Sequence, residues 1–142
     1  MDPLREPGDS PTQHPIPAPR VKRVYEPAQA DDGTRILVDR LWPRGIAKDK
    51  ALIDLWLRDV APSTALRKRV HAAPDHWDLF CAAYATELEA PAAQSAVKDL
   101  FEHLRRGPVT LLYGARDRQH NNAVALKAWL EQHGAEPASC PP

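Results

Sequence analysis

The segment DRLWPRG sets an acid, two arginines and an indole close together, as Asp39, Arg40, Trp42 and Arg44. A second polar segment, YGARDRQHNN, carries Tyr113, Arg116, Asp117, Arg118, His120, Asn121 and Asn122. A guanidinium offers a planar fork of donors that matches the oxygens of a carboxylate or a phosphate. The free N–H groups at a helix start favour the same charge. Brought to one edge of a fold, the two segments would make an anion-binding corner. In that arrangement Arg40 or Arg44 holds the anion, Asp39 orients the guanidinium or acts as a base, and Tyr113 exchanges a proton. Arg116 and Asn121 complete the cradle, and Trp42 supplies an apolar wall. Each piece also has a structural reading. Asp39 paired with Arg40 or Arg44 would close a sheet end, Trp42-Pro43 would plug a core, and the Asn pair would cap a helix.

Both segments follow apolar runs, RILVDRL (35–41) and VTLLYGA (109–115), while VKRVYE (21–26) is half polar and reads as an edge strand. Unbroken runs imply burial on both faces, the habit of parallel sheets covered by helices. Ligands of open α/β sheets lie outside the carboxyl ends of the strands, so parallel strands would turn both segments toward one pocket. On a regular strand Asp39 and Arg40 point to opposite faces, which leaves Asp39 to reach Arg44 or a donor of the second segment.

The remaining chain reads as mostly helical. LIDLWL (52–57) is expected to begin a helix, and Ser63 to cap TALRKRV. Trp77, Phe80, Cys81, Tyr84 and Leu88 form one helical stripe, and Val97, Leu100, Phe101 and Leu104 another. Ala123, Leu126, Leu130 and His133 line a last helix that stops at Gly134. Trp56, Trp77 and Trp129 fall at core-facing helical positions. The expected fold is a small three-layer α/β domain with a short, mostly parallel sheet flanked by helices. Residues 1–20 hold six of the fifteen prolines and read as a disordered arm, 21–134 as a single domain, and 135–142 as a flexible tail.

Composition excludes several functions. Lys plus Arg and Asp plus Glu number 19 each over 142 residues, so no overall field draws the chain to nucleic acid or to an anionic membrane. The basic RKRVH (67–71) reads as the solvated face of an amphipathic helix rather than a nucleic-acid contact. Apolar runs are far shorter than the roughly 20 residues a membrane-spanning helix needs, and no signal-peptide pattern opens the chain. The expected address is the cytoplasm. Cys81 falls on a helix face and Cys140 in the tail, so neither serves as a thiolate nucleophile at a strand end. Ser63 and Ser95 lack a GxSxG turn. Asp117, His120, His71, His76 and His103 lack metal-ligand spacing, and no GxGxxG marks a dinucleotide site. No metal or cofactor is expected, and transfer or hydrolysis is favoured over redox chemistry if any reaction occurs.

The pieces KRVYEP, DDGTRILVDRLWPRGI, APSTALRKRV and VTLLYGARDRQHNNAVALKAWL resemble the domain-of-unknown-function 488 family in its YeaO-like branch, over about residues 21–133. The resemblance implies a small bacterial-type α/β protein of the cytosol and points back to Asp39, Arg40, Trp42, Arg44, Tyr113 and Asn121. Where the family pattern carries Lys this chain has Arg116, and where it carries His this chain has Asn122, so no histidine base is available at that position. The expectation is a protein that binds, and in a stronger form transforms, a small anionic molecule. The competing expectation is a non-catalytic regulatory or protein-interaction module that uses the helical face near 63–71. Oligomeric state is not legible.

Overall fold

Val109–Tyr113 buries all five of its residues, as a strand covered on both faces must. In the computed structural model, which describes residues 16–48, 52–72 and 74–136, this strand sits inside a four-stranded parallel sheet. The strands are β1 (Ile16–Pro17), β2 (Arg20–Arg23), β3 (Thr34–Leu37), β4 (Leu55–Trp56), β5 (Val109–Tyr113) and β6 (Ala135–Glu136). The helices are α1 (Thr64–Ala72), α2 (Trp77–Glu89), α3 (Pro91–Arg106) and α4 (Asn122–Gln132). The sheet runs β2-β5-β3-β4, and every pairing in it is parallel. It is the small α/β domain that the apolar runs predict.

Period-two alternation divides the sheet into two faces. Ile36, Val38, Val109, Leu111 and Tyr113 look toward the helices and share a core with Phe80, Tyr84, Leu100, Leu126 and Leu130. Leu37 and Leu112 look the other way with Val24, onto Trp42, Ile46, Ile53 and Trp56. The layer on that second face is therefore loop and indole rather than helix.

The segment LIDLWL departs from expectation, because it supplies strand β4 and not a helix start. Leu55 and Trp56 pair with Ile36 and Leu37, and backbone bonds from Asp54 N–H to the Arg35 carbonyl (2.8 Å) and from Leu57 N–H to the Leu37 carbonyl (2.9 Å) extend the ladder. A six-residue apolar run is too short for periodicity to separate strand from helix, and an open sheet edge beside it decides the outcome. Trp56 accordingly packs on the loop-covered face. Ser63 does cap α1: its Oγ accepts the Leu66 N–H (3.2 Å), while Glu87 of α2 accepts both the N–H and the O–H of Ser63 (2.7 Å each). The first helix is thereby clamped to the second.

Ordered structure begins before residue 21 and passes 134, since β1 and β6 pair in parallel at the two ends and Ile16 packs on the core. The remainder of the Pro-rich arm, 1–15, and of the tail, 137–142, lies outside the described residues. No helix among those described is long and apolar enough to cross a membrane.

At the amino edge of the sheet the chain turns at Gly33, whose φ of +67° and whose approach to Pro108 exclude a side chain; an added Cβ would stand 2.2 Å from the Pro108 carbonyl oxygen. Beside it Asp32, 1% exposed, receives Arg35 Nη1 at 2.5 Å, Lys22 Nζ at 3.1 Å and the Gln29 N–H at 3.0 Å. Arg35 Nε also donates to the Leu52 carbonyl (2.8 Å). The buried charges are thus paired and hydrogen-bonded, the condition for tolerating them.

Asp32→Asn leaves the Arg35 guanidinium interior and uncompensated, and urea unfolding is expected to show a loss of about 3–5 kcal/mol. Burial opposes ionisation of Asp32, but the Gln29 N–H, Lys22 and Arg35 outweigh it and hold the carboxyl below its usual range. The unfolded chain therefore takes up the proton first as pH falls. This contribution is complete above the unfolded value of ~3.9 and is lost as pH drops through the lower folded value. The Asn variant lacks that acid limb; equal stability of the two proteins at neutral pH would refute the assignment.

Candidate functional site

Strands β2, β3 and β5 end side by side, and the ladder continues briefly past them, with Val24 N–H on the Tyr113 carbonyl (2.7 Å) and Val38 N–H on the Leu112 carbonyl (3.1 Å). Beyond these bonds the chains diverge and enclose a cleft of about 720 Å³. Of the residues expected at the site, Asp39, Arg40, Trp42, Arg44, Arg116 and Asn121 all line it.

Asp39 is half-buried at the centre. Its Oδ2 accepts the Gly114 N–H at 2.8 Å, so the acid reaches a donor of the second segment, one of the alternatives its strand position allows. Its carbonyl accepts the Trp56 indole N–H at 2.7 Å. Gly114 permits the approach, since a Cβ there would lie 3.2 Å from the same carboxylate oxygen. Burial pushes the Asp39 carboxyl above its ordinary range, against the Gly114 N–H, the Asn122 amide and the charge of Arg67, which pull it back. A carboxylate already bonded to a backbone donor is a positioning group first.

The arginines divide into two sets. Arg40 directs Nε to the Pro62 carbonyl (3.2 Å) and Nη2 to the Ala61 carbonyl (3.1 Å), so it braces the segment between β4 and α1. Arg23 similarly donates to the carbonyls of Ala115 (2.9 Å) and Gly114 (3.3 Å). Arg44 and Arg116 are exposed on the cleft rim, and among the described residues neither guanidinium has a hydrogen-bond or ion-pair partner. Arg44 is nevertheless located, because its carbonyl accepts the Tyr25 hydroxyl at 2.9 Å.

Trp42 is both packed and at the border of the cleft. Its ring meets Trp56 edge-on with centroids 5.4 Å apart, its indole N–H donates to the Ile46 carbonyl (2.7 Å), and it also borders the cleft.

Two expectations need correction. Asn121, 3% exposed, caps α4: Oδ1 accepts the Val124 N–H and Nδ2 donates to the Asp117 carbonyl, both at 2.9 Å. Its first role is therefore structural, at the border of the cleft. Tyr113 is 2% exposed in the helix-side core and is not part of the cleft lining. Alternation along β5 turns it toward the helices and away from the cleft, and burial raises its phenol above the ordinary range. Asn122, in contrast, faces the site and donates to the Val38 carbonyl at 2.8 Å.

Sequence reasoning missed Arg67. It projects from α1 into the cleft, half-buried and without a hydrogen-bond or ion-pair partner among the described residues, although RKRV reads as a solvated face. The available signal is its place beside Leu66, which is buried and marks the inward side of the helix. His120 also borders the cleft, packed on Trp77 with centroids 5.0 Å apart and with Nδ1 3.3 Å from Asp117 Oδ2. The Asp117 carboxyl is held below its ordinary range by the backbone N–H groups of His120 and Gln119. Cys81 is half-buried on α2, and desolvation raises its thiol, as suits an inert packing residue. Among the described residues no group of three or more His, Cys, Asp or Glu is placed to hold a metal ion.

Comparison with known proteins adds context to this geometry. The family model described as the inactive DUF488-N3 subclade matches residues 19–141. The chain is 43% identical over 109 residues to the uncharacterized protein YeaO of Escherichia coli (strain K12), covering 77% of this chain and 93% of that one. It is 45% identical over 111 residues to uncharacterized proteins of Mycobacterium bovis and Mycobacterium tuberculosis, covering 78% of this chain and 92% of theirs. No solved structure matches.

Substitutions separate the acceptor role of Asp39 from its charge. Asp39→Ala deprives the Gly114 N–H of its acceptor and is expected to cost about 1–3 kcal/mol in urea unfolding. Asp39→Asn keeps an acceptor oxygen and removes a desolvated charge, so its loss should be clearly smaller; equal losses would mean that the charge is what matters. Asn121→Ala should lower stability by about 1 kcal/mol through loss of the cap, and a melting point unchanged from wild type would refute the capping role.

Proposed function

The chain belongs to the DUF488 family, in the subclade described as inactive DUF488-N3, and on that footing we propose that it is a cytosolic protein that binds a small anionic metabolite at the C-terminal edge of its sheet without transforming it. The observation that carries this reading is the set of three guanidinium groups, Arg44, Arg67 and Arg116, that line one cleft and make no hydrogen bond or ion pair among the described residues. Structural arginines of this fold end on carbonyls or acids, as Arg23, Arg35 and Arg40 do. Donors left facing a concave space are what an anion site requires.

Binding without turnover agrees with the word inactive in the subclade's description and with the state of the side chains that catalysis would need. The Asp39 carboxylate is bonded to Gly114, Tyr113 lies in the core, and Asn121 is a cap. Arg40 and Asn121 thus take the structural roles that an interaction module would assign them, whereas the same reading offers no use for three unpaired arginines around a hollow.

A thermal-shift series with sulfate, phosphate, carboxylates and phosphorylated sugars tests the proposal. At a hundred times its dissociation constant a ligand stabilises by about 2.7 kcal/mol, seen as a rise of several degrees for a domain of this size. At least one anion is expected to produce it, and Arg44→Ala to abolish it while leaving the unliganded stability within about 0.5 kcal/mol of wild type. A uniformly flat series would sink the anion reading.

A further inference from the structure

The charge inventory of the cleft restricts which anion it takes. Five arginines, Arg23, Arg40, Arg44, Arg67 and Arg116, line it against a single lining carboxylate, Asp39. Carbonyl partners take two bonds from each of Arg23 and Arg40 but cancel none of their charge. The nearest other acids of the two loops are already engaged, Glu26 by Arg118 at 2.8 Å and Asp117 by its own turn and His120. Resting on the anion-binding reading, we infer that the ligand is an organic phosphate monoester, a dianion, and that Arg67 of α1 is one of the residues that hold it.

Three features favour this class over a carboxylate. A carboxylate brings one charge and two oxygens, both of which a single guanidinium fork already engages. A phosphate monoester brings close to two charges and three terminal oxygens, enough to accept donors from several forks at once. Arg44, Arg67 and Arg116 stand on three separate segments, the loop after β3, helix α1 and the loop after β5, so a group with several oxygens is the one they can share. At about 720 Å³ the cleft is also far larger than inorganic phosphate needs, and Trp42 and Phe80 contribute apolar wall. That wall accounts for an organic part on the phosphate.

Isothermal titration of the full chain with phenyl phosphate, benzoate and inorganic phosphate at about pH 8, where the ester is dianionic, tests the inference. Phenyl phosphate is expected to bind roughly tenfold or more tightly than benzoate, since each additional charge-assisted hydrogen bond is worth about that factor. It should also bind more tightly than inorganic phosphate. Arg67→Gln, with an unchanged melting point, should weaken phenyl phosphate roughly tenfold and benzoate much less, and Arg67→Lys should restore part of the loss. Benzoate binding as tightly as phenyl phosphate would overturn the dianion inference and leave the anion reading standing. Undiminished phenyl phosphate affinity in folded Arg67→Gln would overturn the role of Arg67. Failure of all three probes to bind would overturn the inference and the anion reading together.

Discussion

One carboxylate oxygen joins the two loops at the carboxyl edge of the sheet. Asp39 Oδ2 accepts the Gly114 N–H while the Asp39 carbonyl accepts the Trp56 indole, so the exits of β3, β5 and β4 meet at a single residue. Asn122 adds the start of α4 by donating to the carbonyl of neighbouring Val38. Without this junction the two charged loops would be free to drift apart, because the strand ladder has already ended below them. A carboxylate in such a place is costly to desolvate, and its raised protonation equilibrium records the cost. The geometry is maintained because the acceptor is short, stands just past the end of β3 and is opposed by a residue with no side chain.

The opposite edge of the sheet uses the same chemistry to another end. Asp32, Arg35 and Lys22 pair with one another, whereas Arg44, Arg67 and Arg116 make no ion pair among the described residues. An Arg at a rim retains much of its hydration, which is why three can face the same hollow without unfolding the domain. Their mutual repulsion is an unfavourable term that a multiply charged anion would relieve.

How far the chain could be read in advance followed physical lines. VTLLY was legible because burial on both faces leaves a continuous apolar run, and DRLWPRG because charge after such a run has few purely structural uses. LIDLWL is not, since a six-residue segment with five apolar residues fits a strand and a helix equally and only the vacant edge beside β3 decides. Tyr113 was placed in the site by proximity along the chain, but alternation from Leu111 carries it to the helical face. Arg67 is hidden for a different reason: its place at the cleft depends on α1 being clamped to α2 by Ser63 and Glu87, a tertiary fact whose one local trace is the buried Leu66 beside it. Asn121 could be read either as a cap or as a ligand donor from its type alone, and the two bonds of its amide resolve the choice.

The loop that covers the second face of the sheet has a consequence for motion. Trp42 and Ile46, which seal Leu37 and Leu112 from water, flank Arg44 in one short stretch of chain. Local opening of that cover would displace Arg44, and an occupant held by Arg44 would in turn oppose the opening. Occupancy of the cleft and amide protection beneath the cover are thereby reciprocally linked, by the thermodynamic symmetry that governs any two events sharing one segment. The sheet's loop-covered side would then sense what its carboxyl edge holds, although no atom of the occupant need touch it.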